Sequence, residues 1–157
     1  MQIVYYSLHG TNEKIARQLA AELDLPLHRI EDISSRHGFF NFMRSGFEST
    51  FRRCPPIKAM DAFQPGEEPV ILLAPVWAGK ICSPLRTFCT RYAGQFSTFS
   101  LVLTRSDPEN KYSAMKEEVE KILGADCRLF ESYCAKTVTP AVVAELCARL
   151  EKGMVMK

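Results

Sequence analysis

The sequence predicts an α/β fold, a doubly wound three-layer sandwich with a five-stranded parallel sheet between two helical layers. Three observations predict it. Five short apolar runs alternate with helical patterns along the 157 residues. Three of those runs are continuous rather than alternating, as in strands covered on both faces. The helical segments place their apolar residues at 3.6-residue spacing, one stripe each. A strict strand–helix alternation requires right-handed crossovers, and those put helices on both faces of the sheet.

The first run, 2–6, opens the chain, and 13–23 follows with Ile15, Ala16, Leu19, Ala20 and Leu23 on one helical face. A second run covers roughly 26–30. The third, Val70-Ile71-Leu72-Leu73-Ala74, leads into Pro75-Val76-Trp77-Ala78-Gly79-Lys80. Ser83-Pro84 then starts a helix over 84–93, because a cap residue followed by proline suits a first helical turn, and Gly94 stops it. The fourth run is 99–103. Asp107-Pro108 gives the same start signal for a helix over 108–123, with Met115, Val119, Ile122 and Leu123 inward and Gly124 at the end. A fifth run at about 127–134 and a helix at about 141–152 complete the order.

Segment 36–66 fits least well. Phe39, Phe40, Met43, Phe47 and Phe51 fall roughly on one helical face, interleaved with Arg36, Arg44, Arg52 and Arg53. An amphipathic helix covering the sheet accounts for most of these phenylalanines. The alternative is a helix that walls a substrate pocket or docks a partner. Cys54-Pro55-Pro56 ends the pattern, and 55–68 reads as a loop.

An apolar content of 46% with 24% charged residues is ordinary for a soluble globular chain, read as one domain over 1–157. A net charge of +2 is too small to argue for nucleic acid or an anionic membrane. No apolar run approaches the roughly 20 residues a membrane helix needs, so a cytoplasmic location is expected. The six cysteines form no Cys-x-x-Cys pair and no metal-ligand spacing with the three histidines. They read as reduced, mostly buried thiols.

Open α/β sheets bind ligands beyond the carboxyl ends of their strands, where strand order reverses. Three loops belong at that edge. Loop 7–12 opens a helix, where free N–H groups and the positive helix end favour a phosphate without Lys or Arg. Ser7, Thr11 and Asn12 add side-chain donors there, and Gly10 lets the backbone come close. A tight turn capped by Thr11 or Asn12 explains the same residues without a ligand. Loop 75–80 carries Trp77, the only tryptophan, which suits stacking on a planar heterocycle. Backbone amides of Ala78, Gly79 and Lys80 are the candidates for the ring's polar edge. A Trp packed under its own loop is the plain alternative. Loop 104–110 offers Thr104, Arg105, Ser106 and Asp107 to close the other side, or serves only as a helix cap.

Ser7-x-x-Gly10-x-Asn12 followed by Ile15-Ala16 resembles the phosphate loop of the flavodoxin-like flavoproteins. Pro75-Val76-Trp77-Ala78-Gly79-Lys80, then Ser83-Pro84-Leu85-Arg86-Thr87-Phe88, resembles the ring loop and following helix of the small NAD(P)H-dependent oxidoreductases in that family. The resemblance implies strand order 2-1-3-4-5 and one non-covalent FMN. It implies the phosphate on Ser7, His9, Gly10, Thr11 and Asn12. It also implies the ring between Pro75–Lys80, Val76 included, and Thr104–Asp107. The function it implies is an oxidoreductase that transfers electrons from NAD(P)H or a reductase to a quinone-like or protein acceptor, with no side-chain acid or base. A non-enzymatic electron carrier, or a flavin-free interaction scaffold on the same fold, are the rivals. Partners expected are small-molecule or protein redox partners and neither nucleic acid nor membrane, with a homodimer left open.

Departures from the family pattern are informative. His9 stands where a small hydroxyl residue is usual, either aimed at the phosphate or solvated at the rim. The strong acidity of dedicated flavodoxin carriers is absent. Lys80 and Arg105 are candidates for the phosphates of a nicotinamide dinucleotide. Cys82, close behind the ring loop, is either redox-active or simply packed. A phospho-receiver is excluded by the lack of clustered acids at the first and third strand ends. P-loop and Gly-x-Gly-x-x-Gly fingerprints are absent.

Overall fold

The structure is a computed structural model that describes residues 1–36 and 38–155, so His37 and the last two residues lie outside it. Among the described residues the strands are Gln2–Tyr5 (β1), Leu27–Arg29 (β2), Val70–Trp77 (β3), Lys80–Ile81 (β4), Thr98–Arg105 (β5) and Asp126–Cys134 (β6). The helices are Thr11–Leu23 (α1), Phe39–Thr50 (α2), Ser83–Arg91 (α3), Ala114–Leu123 (α4) and Pro140–Val155 (α5). Five strands pair in parallel in the order β2-β1-β3-β5-β6, which is the expected 2-1-3-4-5 arrangement. The short β4 was not foreseen. It folds back antiparallel on β3, pairing Trp77 with Lys80 across a two-residue turn.

Side-chain alternation along each strand divides the core in two. Ile3, Tyr5, Ile71, Leu73 and Val102 face one way and meet Ile15, Ala16 and Leu19 of α1 with Val143, Leu146 and Leu150 of α5. Val4, Leu72, Leu101 and Leu103 face the other way and meet Leu85 and Phe88 of α3 with Met115, Val119 and Leu123 of α4. Burial on both faces explains why the central strands read as unbroken apolar runs.

Several element boundaries differ from the sequence reading: β3 runs on through Trp77, β5 through Arg105, and α3 ends at Arg91. The helix expected from Pro108 begins only at Ala114. Asp107 Oδ1 accepts hydrogen bonds from the amides of Glu109 and Asn110 at 2.8 and 3.2 Å, and Asn110 Oδ1 accepts from the Tyr112 amide at 2.9 Å. Two such successive Asx turns satisfy the backbone locally and delay the helix. Cys82, rather than Ser83, occupies the cap position of α3.

The larger correction concerns α2. It is a helix, but its phenylalanines do not cover the sheet. Its buried residues are Ser45, Glu48 and Ser49, whereas Phe39, Phe40, Phe42, Met43 and Phe47 are all more than half exposed. The cause is a buried cation. Arg36, only 3% exposed, donates to Asp32 Oδ1 and Glu48 Oε2, both at 2.6 Å, and to Ser45 Oγ at 3.2 Å. Glu48 also accepts from Arg44 Nε at 2.8 Å and from the Ser83 hydroxyl at 3.0 Å. Tyr6 donates its hydroxyl to Asp32 Oδ2 at 2.6 Å. A guanidinium out of water needs carboxylate partners, and only the polar face of α2 supplies the second one. That requirement turns the apolar face outward.

Contrasting substitutions test this orientation. Phe88→Ala, in the core, is expected to cost about 3–5 kcal/mol of unfolding free energy. Phe40→Ala, outside the core, is expected to cost clearly less than that. Urea melts of both variants measure the difference.

Candidate functional site

A cavity of about 530 Å³ opens at the carboxyl ends of β1, β3, β5 and β6, with α2 as its outer wall. Its position on either side of the β1/β3 junction is where the strand order reverses. The volume lies in the range of ordinary cofactor and ligand sites.

From the loop after β1, Ser7, Leu8, His9, Thr11 and Asn12 line the cavity. Gly10 holds the turn rather than the wall. Its φ of +87° is a left-handed conformation that glycine adopts without the side-chain clash. The Gly10 amide donates to Ser7 Oγ at 3.1 Å, and no side chain caps α1. The first amide to bond back into the helix is that of Lys14, to the Gly10 carbonyl at 3.1 Å. The amides of Thr11, Asn12 and Glu13 therefore remain for a ligand at the positive helix end. His9 is exposed at the rim.

Asn12 is placed differently from the sequence expectation. Its side chain is 2% exposed, and Nδ2 donates to the Tyr6 carbonyl at 3.2 Å. Its Oδ1 accepts from the Thr104 hydroxyl at 2.8 Å. Both polar ends of the amide are thus engaged between β1 and β5, and only the Asn12 backbone can serve an anion. The same bond occupies the Thr104 hydroxyl proton.

From the end of β3 and the turn after it, Pro75, Val76, Trp77 and Ala78 line the cavity, while Gly79 and Lys80 do not. Ala78 (φ 49°) and Gly79 (φ 69°) are the two left-handed residues of a hairpin turn whose twist matches its strands. Lys80 is committed to its pairing with Trp77. Trp77 is half-buried. Its ring meets Tyr6 edge-on at 5.4 Å between centroids, and Arg36 Cζ lies 5.4 Å from its centroid. Arg36 does not line the cavity. The guanidinium therefore closes one side of the indole and leaves another toward the opening.

From the end of β5 and the residue after it, Thr104, Arg105 and Ser106 line the cavity and Asp107 does not. Arg105 is 7% exposed, and its Nε donates to Ser132 Oγ at 3.1 Å while Nη1 donates to the Asp107 carbonyl. A guanidinium tied in this way is poorly placed to attract a second ligand's phosphates. The sequence reading missed Leu8, Ala135 after β6, and the α2 residues Phe42, Met43, Ser45 and Gly46. The Phe/Arg stretch was the available signal for the α2 group. Nothing in the sequence pointed to Ala135.

Cys82 is fully buried behind the hairpin, and burial pushes its thiol up to about 12. That leaves almost no thiolate near neutral pH and argues for a packed residue rather than a redox-active one. Burial likewise raises the Cys89 thiol. All six cysteines are free, and among the described residues no cluster of His, Cys, Asp or Glu can hold a metal. Among the same residues, no helix is long and apolar enough to cross a membrane.

Neither a protein-family model nor a curated protein sequence matches this chain. Solved structures do. A flavoprotein from Lactobacillus acidophilus NCFM, in complex with FMN, is similar at a TM-score of 0.70 and 16% identity, over 83% of this chain and 91% of that one. A candidate flavoprotein from Bacteroides uniformis ATCC 8492 is similar at 0.72 and 15%, over 94% and 96%. Another from Bacteroides eggerthii DSM 20697 is similar at 0.71 and 17%, over 98% and 97%. Together with the strand order, these likenesses establish a flavodoxin-like α/β sandwich.

Thiol labelling tests the burial. Iodoacetamide at mildly alkaline pH is expected to modify the exposed Cys54 and spare Cys82 and Cys89, read by peptide mass.

Proposed function

We propose that this chain is an FMN-binding flavoprotein, an oxidoreductase passing electrons from NAD(P)H to a quinone-like or protein acceptor. One observation carries the reading. A single cavity joins an uncapped helix start, whose loop 7–12 holds no Lys or Arg, to the open side of the chain's only tryptophan. The first suits a phosphate and the second a flat heterocycle, the two ends of a flavin mononucleotide. The FMN complex of the structurally similar Lactobacillus protein supports the choice of cofactor.

The residues present fit that group. Amides of Thr11, Asn12 and Glu13, with the hydroxyls of Ser7 and Thr11, would hold the phosphate. Trp77 and the Pro75–Ala78 backbone would hold the ring, facing Thr104–Ser106 across the cavity. FMN, when bound, supplies hydride and one-electron chemistry. The chain's task is then to orient the ring, shield it from water and set its surroundings. Phe42 and Met43 contribute an apolar outer wall.

The rival reading, a non-enzymatic electron carrier with the same site, also has an observation in its favour. Among the described residues that line the cavity, His9 and Arg105 are the only ionisable ones, and Arg105 is tied to its neighbours. Proton handling by side chains is therefore sparse.

Titration of the flavin-free protein with FMN, followed by quenching of flavin fluorescence, tests the site. Saturable binding is expected, and a protein that stays colourless in excess FMN removes the proposal. Trp77→Ala should weaken binding about tenfold or more, one stacking contact being worth on the order of 1–3 kcal/mol. Gly10→Val should release the cofactor through backbone strain, since open space surrounds a Cβ there but φ is +87°. Anaerobic NADPH then separates the two readings. Rapid bleaching of the bound flavin indicates the oxidoreductase, and an unchanged spectrum until a reductase is added indicates the carrier.

A further inference from the structure

Among residues 1–36 and 38–153, every large apolar side chain that stands exposed lies between Ile33 and Phe51. Exposures run from 54% at Phe47 to 85% at Phe40. Isolated apolar side chains at a surface are ordinary, but a contiguous aromatic patch marks a contact. Phe39, Met43 and Phe47 succeed one another at one-turn spacing, with Phe40 and Phe51 alongside. Ring pairs Phe39–Phe40 and Phe47–Phe51 touch at 5.9 and 4.6 Å between centroids. The stripe follows the 12 residues of α2, roughly 18 Å at about 1.5 Å per residue.

We propose that this stripe is a two-fold contact with a second copy of the same chain, α2 against α2. Area is the first argument. Seven side chains of this size at the observed exposures present on the order of 900 Å², close to the roughly 800 Å² per partner of a stable interface. Charge is the second. α2 contains no lysine, and its one acid, Glu48, points inward. Arg44 is held by Glu48 and by Ser34, and Arg52 by Glu118 at 3.2 Å. An anionic lipid leaflet or an acidic protein is recruited by unpaired cations around an apolar face. Here two of the three bordering arginines are already paired within the molecule, with Arg53 as the third. An apolar stripe is its own complement under a two-fold axis, and such a contact needs no added charge.

The contact has a bearing on the cavity, because Phe42 and Met43 are exposed residues of α2 and also line it. A second copy on α2 stands beside the cavity mouth and screens it from water. The proposal rests on the Ile33–Phe51 surface alone and is independent of which cofactor the cavity takes.

Sedimentation velocity and light scattering on the flavin-free protein, over a hundred-fold concentration range, test it. The expected mass is twice the 17.8 kDa of one chain. Phe40→Asp/Phe47→Asp should shift the mass to one chain while far-ultraviolet circular dichroism stays unchanged. If that pair perturbs folding, Phe40→Ser/Phe51→Ser gives the same comparison more gently. A single-chain mass at every concentration, an assembly larger than two, or a dimer that survives folded pair variants overturns the proposal. So does co-flotation of single-chain protein with phosphatidylcholine–phosphatidylglycerol vesicles, which assigns the stripe to a lipid surface instead.

Discussion

One buried guanidinium organises the side of the molecule that carries the cavity. Arg36 is withdrawn from water, and two carboxylates and a hydroxyl compensate it. Removing both carboxylates would leave an uncompensated buried charge, the situation that costs about 3–5 kcal/mol. Three things follow from satisfying it. Segment 32–36 is pinned to β1 through Tyr6. The polar face of α2 is drawn inward. The side of Trp77 away from the cavity is closed. Burial by itself would raise the Glu48 carboxyl, yet Arg44, Arg36 and Ser83 together hold it below the usual carboxylate range. A carboxyl held low stabilises the fold above its unfolded value. That contribution fades as pH falls into the acid range, so the arrangement is built for neutral conditions.

The layered core and the cavity edge reflect a division of labour along the chain. Central strands buried on both faces need only continuous apolar residues, and the loops beyond their carboxyl ends are left to chemistry. The hairpin after β3 shows how this is done. Ala78 and Gly79 in left-handed conformations reverse the chain within two residues, and the reversal holds Trp77 in a strand rather than in a loop. A ring fixed by strand pairing, a Tyr6 edge contact and an overlying guanidinium is pre-organised, which lowers the ordering penalty of any ligand stacked on it.

Local patterns were legible in the sequence because they depend on neighbours a few residues apart. Val70–Ala74 announced a doubly covered strand, and the 7–12 and 75–80 loops announced the two ends of the cavity, although Gly79 and Lys80 stay outside it. What escaped was set by distant pairing. Phe39 to Phe51 has the spacing of a helix that covers a sheet. The opposite orientation is dictated by Arg36, Glu48 and Ser83, which only the folded chain brings together. At Asp107-Pro108 the helix-start signal was real, but two Asx turns compete for the same amides and win until Ala114. Asn12 was read as a ligand donor from its place in the loop, and its bond to Thr104, 92 residues away, could not be read there.

That last bond changes how loop 7–12 should be interrogated. The Asn12 amide is the stitch between the carboxyl ends of β1 and β5, with the Tyr6 carbonyl on one side and the Thr104 hydroxyl on the other. Deleting it strands two polar groups in a dry seam. A defect at position 12 would then report a frayed sheet margin, not a lost ligand contact.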